Sequence, residues 1–426
     1  MRRYLRATFA SLHNRNYRLF FAGQTVSMVG TWMQKVAQAW LVLELTDSGV
    51  MLGVTAALQQ LPTLLLTPWG GLLADRLDKR RILLVTQALC AVPALALGIL
   101  TLTDNATIWV VLALALLLGV IESLDKPARH TFVSEIVGND HIANAVTLNN
   151  VIVNIGKVAG PAVAGILIAT VGLAPSFLIN AASFVAVLVG LALIRTDDLT
   201  RATPTPRARG QLREGLRYVR GRPDLLAPLV LMTVTGLLAY EWTVILPLLA
   251  RDTFDGGADA AGLMFTAMGA GAIVGGLALA AVLKATTNRL VALGLVFAGT
   301  LVATAAAPSL TVALGCLVVV GAASVAFRTV ASSVLQLRAD PEMRGRVIAL
   351  LMVAIGGTTP IGGPLVGWIG DRYGARTTLV VAAVGTAIAA YAALRYMRRE
   401  AVPATPTAET ASILDLSRSI SDKSLR

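Results

Sequence analysis

Residues 70–81 read GGLLADRLDKRR, and six of the last seven residues are charged. This stretch separates two long apolar segments, in a chain that is 56% hydrophobic and only 14% charged. A helix needs about 20 mainly apolar residues to cross roughly 30 Å of hydrocarbon. A charged cluster between two such segments therefore predicts a loop at a membrane surface, with a spanning helix on either side.

The same alternation of apolar segments and polar loops continues along all 426 residues, whose mean hydropathy is +0.72. Twelve segments are long and apolar enough to be predicted as spanning helices. They are 17–45, 49–74, 81–103, 107–128, 142–170, 174–195, 224–250, 259–284, 289–307, 310–335, 345–369 and 376–397. The predicted fold class is an all-α integral membrane protein with twelve transmembrane helices.

The distribution of Lys and Arg predicts the orientation of these helices. With a cytoplasmic amino terminus, 30 of the 36 Lys and Arg residues lie in inner segments, three in outer loops and three within helices. This bias follows the positive-inside rule, so both termini are expected in the cytoplasm and the protein in the cell membrane. The net charge of +12 then reflects topology and contact with anionic lipid, and no nucleic-acid partner is expected.

A polar and basic segment, 196–223, divides the apolar pattern into two sets of six helices. We predict an amino-terminal six-helix bundle over 1–195, a cytoplasmic linker over 196–223, a carboxyl-terminal six-helix bundle over 224–399 and a disordered cytoplasmic tail over 400–426. Within the linker, Gln211–Arg220 is expected to form an amphipathic helix on the membrane surface. The fifth and eleventh helices contain related sequences, GKVAGPAVAGIL and TPIGGPLVGWIG, so we expect the bundles to be pseudo-symmetric.

Polar residues deep inside predicted helices indicate a water-filled cavity, because a charge near the bilayer centre costs about 3 kcal/mol or more without a partner or water. In the first helix they recur every three or four residues, on one face. The predicted cavity residues are Gln24, Thr31, Gln34, Lys35 and Gln38 of the first helix, Asn150, Asn154 and Lys157 of the fifth, Tyr240 of the seventh and Arg328 of the tenth. The alternative is that they only form hydrogen bonds between helices.

Three carboxylates in these helices are candidates for carrying a proton, since a buried carboxylate without a partner favours its protonated form. They are Glu241, which is the first choice, Glu122 and Asp125. Glu241 is expected to pair with Lys35 or Lys157. Arg328 is expected to pair with Glu122 or to meet an anionic group. The alternative is a set of permanent ion pairs that only fix the register of the helices.

The fourth predicted helix ends in a cluster of charges. Glu122 and Lys126 are four residues apart, a spacing that allows an ion pair along one helical face. Pro127 lacks a backbone N–H, so we expect the helix to end or kink there.

The pattern G-x-L-A-D-R-x-x-K/R-R after the second helix, together with twelve spans and a basic central loop, resembles the major facilitator superfamily. Asp78 is a departure, since the commonest form of the pattern has glycine there. Two further runs, NYRLFFAGQTVSMVGTWMQKVAQAWLVLELTDSG and DKPARHTFVSEIV, are similar to the exporter branch that includes bacterial siderophore exporters and transmembrane secretion effectors. The resemblance covers about residues 10–400.

The resemblance implies that the opening loop latches the two bundles together when the cavity faces outward. The implied latch residues are Gly71, Asp75, Arg76, Lys79 and Arg80, with Asp125 and Arg129 of the fourth helix. Asp75 is expected at the amino end of a neighbouring helix, whose dipole favours an anion. We expect Arg76 to pair with Asp125, and Arg129 to pair with Glu135. The alternative is a loop that merely anchors the helix at the membrane surface.

Small residues are expected at two helix contacts. Gly70 and Gly71 are expected to let the second and eleventh helices approach closely. The fifth helix resembles, imperfectly, the antiporter motif of drug-exporting members, with Leu148 in place of one glycine. Its packing residues are Gly156, Gly160, Pro161 and Gly165. The run VGWIGDRYGAR at 366–376 looks like a second signature loop and is expected on the outer face.

The resemblance and the buried polar residues together predict secondary active export of a lipophilic or amphipathic small molecule, such as a drug, siderophore or secondary metabolite, by proton antiport with alternating access. The resemblance also places the first, fourth, seventh and tenth helices around the central path, which makes Lys35 the preferred partner of Glu241. The alternatives are an uptake permease of the same fold and a non-transporting membrane sensor or scaffold. The sequence holds no G-x-x-x-x-G-K-S/T motif, so no nucleotide is expected to drive transport. We expect no enzymatic activity, no cofactor and no metal site, and a monomer as the family default.

Overall fold

The computed structural model describes residues 10–138, 141–200, 211–280 and 285–400. These ranges are helical almost throughout and form no strand, which confirms the all-α class. The α-helices are α1 (Arg15–Thr46), α2 (Gly49–Arg76), α3 (Lys79–Leu102), α4 (Ile108–Val137), α5 (Ile142–Val171), α6 (Ala174–Ala192), α7 (Gln211–Arg220), α8 (Pro223–Ala239), α9 (Trp242–Phe254), α10 (Ala258–Ala280), α11 (Thr287–Ala305), α12 (Leu310–Arg338), α13 (Arg344–Gly356), α14 (Thr359–Tyr373) and α15 (Ala375–Glu400). Residues 201–210 of the predicted linker, and the predicted tail beyond Glu400, lie outside the described residues.

Within the described ranges, eleven helical segments are long and apolar enough to span a membrane. Two of them are broken helices that were predicted as continuous. They are Pro223–Phe254, which contains α8 and α9, and Arg344–Tyr373, which contains α13 and α14. The predicted first span is the 32-residue helix α1, which is long enough but too polar to count among the eleven.

Helix α4 runs through Pro127 to Val137, so it does not end where the sequence predicted. A proline inside a helix removes one backbone hydrogen bond. Packing of the last two turns compensates for that loss, because Phe132 is fully buried and meets Phe20 of α1 edge to face, with ring centroids 5.9 Å apart.

The helices pack in two groups. In the first, α1 lies against α5 and α6, and α4 lies against α2 and α3. In the second, α12 lies against α10 and α11, and α15 lies against α8 and α11. The groups meet where α2 packs against α14 and where α5 packs against α10.

Glycines permit the contact between α2 and α14. Gly53 lies directly against Gly363, so neither position has room for a Cβ atom. The prediction that Gly70 makes this contact is wrong, since Gly70 lies against the backbone of Ser123 in α4. Gly70 follows Gly53 by seventeen residues. At about 100° per residue, the helix presents the two glycines on different sides.

We name the two ends of the assembly after an aspartate on each. The Asp371 face carries the connections at 47–48, 103–107, 172–173, 255–257 and 306–309, and the Asp75 face carries those at 77–78, 193–200 and 339–343. Helix α7 begins and ends at the residues predicted for the amphipathic helix. It lies at the Asp75 face against α8 and α13, where Arg346 Nη1 donates to Glu214 Oε1 at 2.7 Å.

Candidate functional site

A polar cavity extends from the interior of the first helix group to its boundary with the second group. It consists of two adjoining spaces of about 120 and 180 Å³. The smaller space is bordered by α1, α2, α3, α4 and α6. The larger lies between α1, α2 and α4 on one side and the α8–α9 junction and α14 on the other. Both spaces share Lys35, Gln38, Gln59, Glu122 and Lys126, and each is large enough to hold several water molecules.

The polar face of α1 lines this cavity. The α1 residues that border it include Gln24, Ser27, Thr31, Gln34, Lys35 and Gln38. Two of them also bond to other helices. Arg129 Nη1 donates to Gln24 Oε1 at 3.1 Å, and Asn180 Nδ2 donates to Gln34 Oε1 at 2.6 Å. The face therefore combines both roles that the sequence left open, a cavity wall and hydrogen bonding between helices.

Both acidic residues on the cavity side of α4 are ion-paired within that helix. Lys126 Nζ lies 2.7 Å from Glu122 Oε2, as the spacing predicts. Arg129 Nη2 lies 3.1 Å from Asp125 Oδ2. The predicted pair of Arg76 with Asp125 is wrong, because α4 stays helical and brings Arg129 one turn beyond Asp125 on the same face.

Helix α3 also binds the carboxylate of Asp125. Thr86 Oγ1 and Gln87 Nε2 donate to Asp125 Oδ1 at 2.8 and 2.7 Å. Asp125 therefore lies inside the cavity wall and joins α3 to α4, away from the loop that it was predicted to latch.

The opening stretch forms a crevice of about 380 Å³ at the Asp75 face. Its polar lining includes Asp75, Arg76, Lys79, Arg80 and Glu135. Lys79 Nζ lies 2.7 Å from Glu135 Oε1. The predicted pair of Arg129 with Glu135 is therefore wrong, and Glu135 instead forms an ion pair that links α3 to α4. Gly71 precedes this crevice as a buried residue of α2.

Arg80 ties the start of α3 to α6. Its Nε donates to the carbonyl oxygen of Leu191 at 2.7 Å, and its Nη2 donates to that of Ala192 at 2.9 Å. Carbonyls at the end of a helix carry partial negative charge, which favours a cation. Lys79 and Arg80 therefore hold three helices of the first group together at this face.

Glu241 lies at the break between α8 and α9 and borders the larger space. It is 2% exposed, and its Oε1 has no hydrogen-bond partner among the described residues. The predicted ion pair with Lys35 is not formed, and neither is one with Lys157. The break turns Glu241 toward α14, where a Cβ atom on Gly362 would lie 3.0 Å from Oε1.

Lys35 and Lys157 converge on Trp32 instead. Lys35 Nζ lies 4.5 Å and Lys157 Nζ lies 5.6 Å from the centroid of the indole ring, within range of a cation–π interaction. A glycine of α5 permits this approach, since a Cβ atom on Gly160 would lie 2.6 Å from Trp32 Cβ. Helices α1 and α5 thus bring two ammonium groups to one ring.

Tyr240 borders the larger space on the side of the second helix group. Its ring stacks on Phe297 with centroids 5.8 Å apart, and its hydroxyl donates to the carbonyl oxygen of Ser324 at 3.4 Å. Arg328 lies one turn beyond Ser324 on α12 and is exposed. The predicted pair of Arg328 with Glu122 is not formed, because Lys126 pairs with that carboxylate.

Four predicted cavity residues border neither space, namely Asn150, Asn154 and Lys157 of α5 and Arg328 of α12. Asn150 is exposed and Asn154 is half-buried, both on α5. Conversely, Gln59, Gln87 and Asn180 border the smaller space and were not predicted. They are polar residues inside apolar helices, so the rule applied to α1 would have found them. Trp32 carries no such signal.

The four packing residues of α5 divide between two neighbours. Gly156 and Gly160 lie against Met28 and Trp32 of α1. Gly165 and the carbonyl of Pro161 lie against Gly262 of α10, in the other group. One helix therefore contacts both the cavity wall and the junction between the groups.

Asp371 joins the two groups at the face named after it. The carboxylate accepts hydrogen bonds from the backbone N–H groups of Gly49 and Val50, at 2.6 and 3.0 Å, and from the Ser48 hydroxyl at 2.9 Å. These donors form the start of α2, where the helix dipole favours an anion. In the same region Gly367 lies directly against Gly49.

Among the described residues, no group of three or more His, Cys, Asp and Glu side chains is arranged to hold a metal ion. The sequence profile of the transmembrane secretion effector family matches residues 6–417. The chain belongs to this family. The predicted exporter branch of the major facilitator superfamily is therefore confirmed, and this secretion effector is a multi-pass membrane transporter, not an enzyme.

Known relatives of this secretion effector are transporters of nearly the same length. It is 26% identical to the staphyloferrin A transporter of Staphylococcus aureus, over 87% of this chain and 93% of that one. It is 26% identical to the multidrug efflux pump Tap of Mycolicibacterium fortuitum, over 85% of this chain and 90% of that one. A bacterial homologue of the human lysosomal transporter Spinster, inward-facing and occupied, matches the fold with a TM-score of 0.71 at 15% identity, over 90% of this chain and 96% of that one.

Proposed function

We propose that this transporter exports a lipophilic or amphipathic small molecule across the plasma membrane by proton antiport. The observation that carries the proposal is the polar cavity that reaches the boundary between the two helix groups, with the buried Glu241 at its edge. The proposed mechanism is alternating access of two pseudo-symmetric six-helix bundles, 1–195 and 224–399, joined by the linker 196–223. The protein would act as a monomer, with both termini and the tail 400–426 in the cytoplasm.

Helix α1 would be the twelfth transmembrane helix in this mechanism. It has 32 residues, which at about 1.5 Å per residue exceeds the thickness of the hydrocarbon core. It packs between α5 and α6 rather than along the surface. Its low hydropathy is consistent with a spanning helix whose polar face borders a wet cavity instead of lipid.

The close contacts that glycines make between α2 and α14 support a conformation closed at the Asp371 face. The basic loops lie at the opposite, Asp75 face, which the positive-inside rule assigns to the cytoplasm. The cavity would then be accessible from the cytoplasm. In the alternate state, the loop with Gly71, Asp75, Arg76, Lys79 and Arg80 would latch the cytoplasmic face, and the pair Asp125–Arg129 would hold the cavity wall behind it.

Glu241 is the best candidate for coupling to protons. Glu122 and Asp125 each have a cationic partner within α4, whereas Glu241 has no ion-pair partner among the described residues. A buried, unpaired carboxylate is costly when ionised and inexpensive when protonated. Because Glu241 lies at a helix break facing α14, movement of the two groups would change its access to water and hence its proton occupancy.

The relatives support a small-molecule substrate. One is named a staphyloferrin A transporter and another a multidrug efflux pump, so export of a siderophore, drug or other secondary metabolite is the class that we propose here. An exporter with such a substrate would confer resistance to those antibiotics that it transports.

The first experiment measures proton release from acidified everted membrane vesicles that contain the transporter. A pH-sensitive dye reports the gradient while a panel of amphipathic compounds is added. Antiport predicts that a substrate partly collapses the gradient, and that vesicles without the transporter do not respond. Accumulation of a compound in whole cells that depends on the transporter would contradict export and would favour the uptake permease.

Substitution of Glu241 tests the coupling role. Glu241→Gln removes the titratable group and keeps the shape, so substrate addition should no longer release protons, while downhill substrate flux persists. The measurement is the ratio of protons released to substrate moved, in the same vesicles. Glu214→Gln is the matched control, since Glu214 lies on α7 outside the cavity. An unchanged ratio in Glu241→Gln would remove this residue from the coupling mechanism.

A further inference from the structure

We propose that the basic cluster formed by Trp32, Lys35 and Lys157 binds acidic groups of the exported molecule, so that the substrate is an amphipathic organic anion with at least two carboxylates or equivalent acids. This inference rests on the proposed export function, because it takes the central cavity as the substrate site. It narrows that function to one charge class.

The ion pairs at the cavity lead to this class. Glu241 borders the larger space as well, but it forms no ion pair with either lysine of the cluster. In the described part of the chain, the other two cations at the cavity are neutralised, Lys126 by Glu122 at 2.7 Å and Arg129 by Asp125 at 3.1 Å. No described carboxylate lies within 4 Å of the Lys35 or Lys157 ammonium group. Lys35 and Trp32 border the smaller space, and Lys157 reaches that space only through the shared indole ring. The cluster around Trp32 therefore has two positive charges that are not balanced by an ion pair.

The shared indole ring does not offset the cost of these charges. A cation–π interaction contributes roughly 0.5–2 kcal/mol, whereas a charge in the membrane interior costs about 3 kcal/mol or more without a partner. Two ammonium groups at one ring also repel each other. A ligand with two acidic groups would reduce both the cost of the unpaired charges and the repulsion between the two ammonium groups. A neutral or cationic ligand cannot do this.

The packing around Trp32 makes the arrangement specific to this pair of helices. Gly156 and Gly160 flank Lys157 on α5 and lie directly against α1, where a Cβ atom at Gly156 would be 3.0 Å from Trp32 Cδ1. The backbone of α5 therefore holds the Lys157 main chain close to Trp32. Lys35 approaches the same ring from one turn along α1.

A third cation extends this basic region toward the Asp75 face. Arg328 lies one turn beyond Ser324, whose carbonyl oxygen accepts a hydrogen bond from the cavity residue Tyr240. Arg328 is exposed and forms no ion pair with the described acids. It is placed to attract an anion before the anion reaches the basic cluster.

The remaining wall accounts for the apolar part of the ligand. Met28, Leu118 and Phe184 border the smaller space beside Trp32. Apolar walls with a few polar groups of fixed position are typical of small-molecule sites. An aromatic or aliphatic body would contact these side chains while its acids meet Lys35 and Lys157.

Two xanthene dyes of similar size and opposite charge test the proposal. Fluorescein is a dianion at neutral pH and rhodamine 6G is a cation. Their equilibrium binding to the purified transporter in nanodiscs of neutral lipid is followed by fluorescence anisotropy. We expect fluorescein to bind at least about tenfold more tightly than rhodamine 6G, a difference of ~1.4 kcal/mol. Equal binding, preference for rhodamine 6G, or no binding of either dye would overturn the proposal.

Variants of the two lysines test whether fluorescein binds at the basic cluster. Lys35→Gln and Lys157→Gln should each weaken fluorescein binding about tenfold, and Lys35→Arg should retain it. Arg395→Gln is the matched control, because it removes an exposed cation that contacts Tyr391 outside the cavity. Elution as a single species in size-exclusion chromatography identifies variants that fold. Fluorescein affinity that survives in the folded double variant Lys35→Gln/Lys157→Gln would contradict the proposal.

Two further arms separate this inference from other outcomes. Nanodiscs containing phosphatidylglycerol should leave fluorescein binding unchanged, and competition by this lipid would assign the cluster to a lipid headgroup and overturn a substrate site. Binding does not depend on proton coupling. Tight fluorescein binding without proton release in vesicles would contradict antiport but support the anion site. Proton-coupled export of rhodamine 6G alone would support antiport but contradict the anion site.

Discussion

The loops at 70–81 and 366–376 carry the same chemistry at opposite faces of the molecule. Each contains an Asp-Arg pair and a second arginine five positions after the aspartate, at Arg80 and Arg376. Each of these arginines donates to backbone carbonyls at the end of a neighbouring helix, Arg80 at the end of α6 and Arg376 just after α11. The two loops therefore build the same local support.

The loops differ in what they connect. Asp371 crosses from α14 to the start of α2 and so joins the two helix groups. Lys79 and Arg80 bind α4 and α6, within the first group. The comparison shows that two loops of similar sequence support different contacts, one between the helix groups and one within the first group. In the proposed cycle, the Asp75 loop would take over the closing role when the Asp371 contacts open.

The largest effect is expected from Asp75→Asn. The change removes the negative charge that the proposed cytoplasmic latch needs at a helix amino terminus. Transport should fall to the background of vesicles without the transporter, while its abundance in the membrane stays unchanged. The measurement combines substrate flux with quantitative immunoblotting. Normal flux in Asp75→Asn would contradict the proposed latch at the Asp75 face, and only the Asp371 loop would remain as a candidate gate.

A smaller but still large effect is expected from Gly367→Leu. Gly367 lies directly against Gly49, so the new side chain would force α14 away from α2. Overpacking of this kind costs about 1–3 kcal/mol, which corresponds to a roughly five- to 150-fold loss of the state closed at the Asp371 face. Flux should fall accordingly.

Gly299→Leu is the matched control for this substitution. Gly299 lies in α11, and a Cβ atom there meets no atom within 4 Å. Flux should remain near that of the unmodified protein. An equal loss in both variants would mean that Gly367→Leu disturbs insertion or folding rather than closure.

A moderate effect is expected from Asp371→Asn. The amide keeps one acceptor oxygen but loses the charge, and a hydrogen bond to a charged group contributes about 1.5–3 kcal/mol. The closed state should be populated about tenfold less. The measurement is thiol labelling of a cysteine introduced at Leu248, which is buried beside Gly49 and Gly370, in a background without Cys90 and Cys316. Labelling should be faster in Asp371→Asn. Asp255→Asn, an exposed acid on the same face, is the control. Equal labelling of both variants would show that Asp371 does not hold this face closed.

The smallest effect is expected from Arg251→Gln. Arg251 Nη1 lies 2.7 Å from Asp47 Oδ1 across the same face, without hydrogen-bond geometry, and the Asp47 side chain is 90% exposed. Exposed ion pairs contribute about 0–1 kcal/mol. Flux should change less than about fivefold, and less still in high salt. A loss as large as that of Gly367→Leu would make this pair, and not the glycine contact, the main closure of the Asp371 face.

Local spacing predicted some parts of the site well. The pair Glu122–Lys126 and the helix Gln211–Arg220 depend on residues close in sequence, and both form as predicted. Partners that depend on distant residues were mostly wrong. Glu241 lacks the predicted partner because of a helix break that periodicity does not reveal, and Arg129 takes Asp125 because α4 continues through Pro127.

The sequence by itself determined the all-helical membrane class and the polar face of α1, because hydrophobic length and helical period are properties of neighbouring residues. Its motifs also resembled those of the family. Tertiary structure alone decided that Lys35 and Lys157 share Trp32, that Gly53 rather than Gly70 meets α14, and that Asp371 joins α14 to the start of α2. The physical reason is that these contacts depend on the rotation and separation of whole helices. Both follow from packing between side chains far apart in the chain.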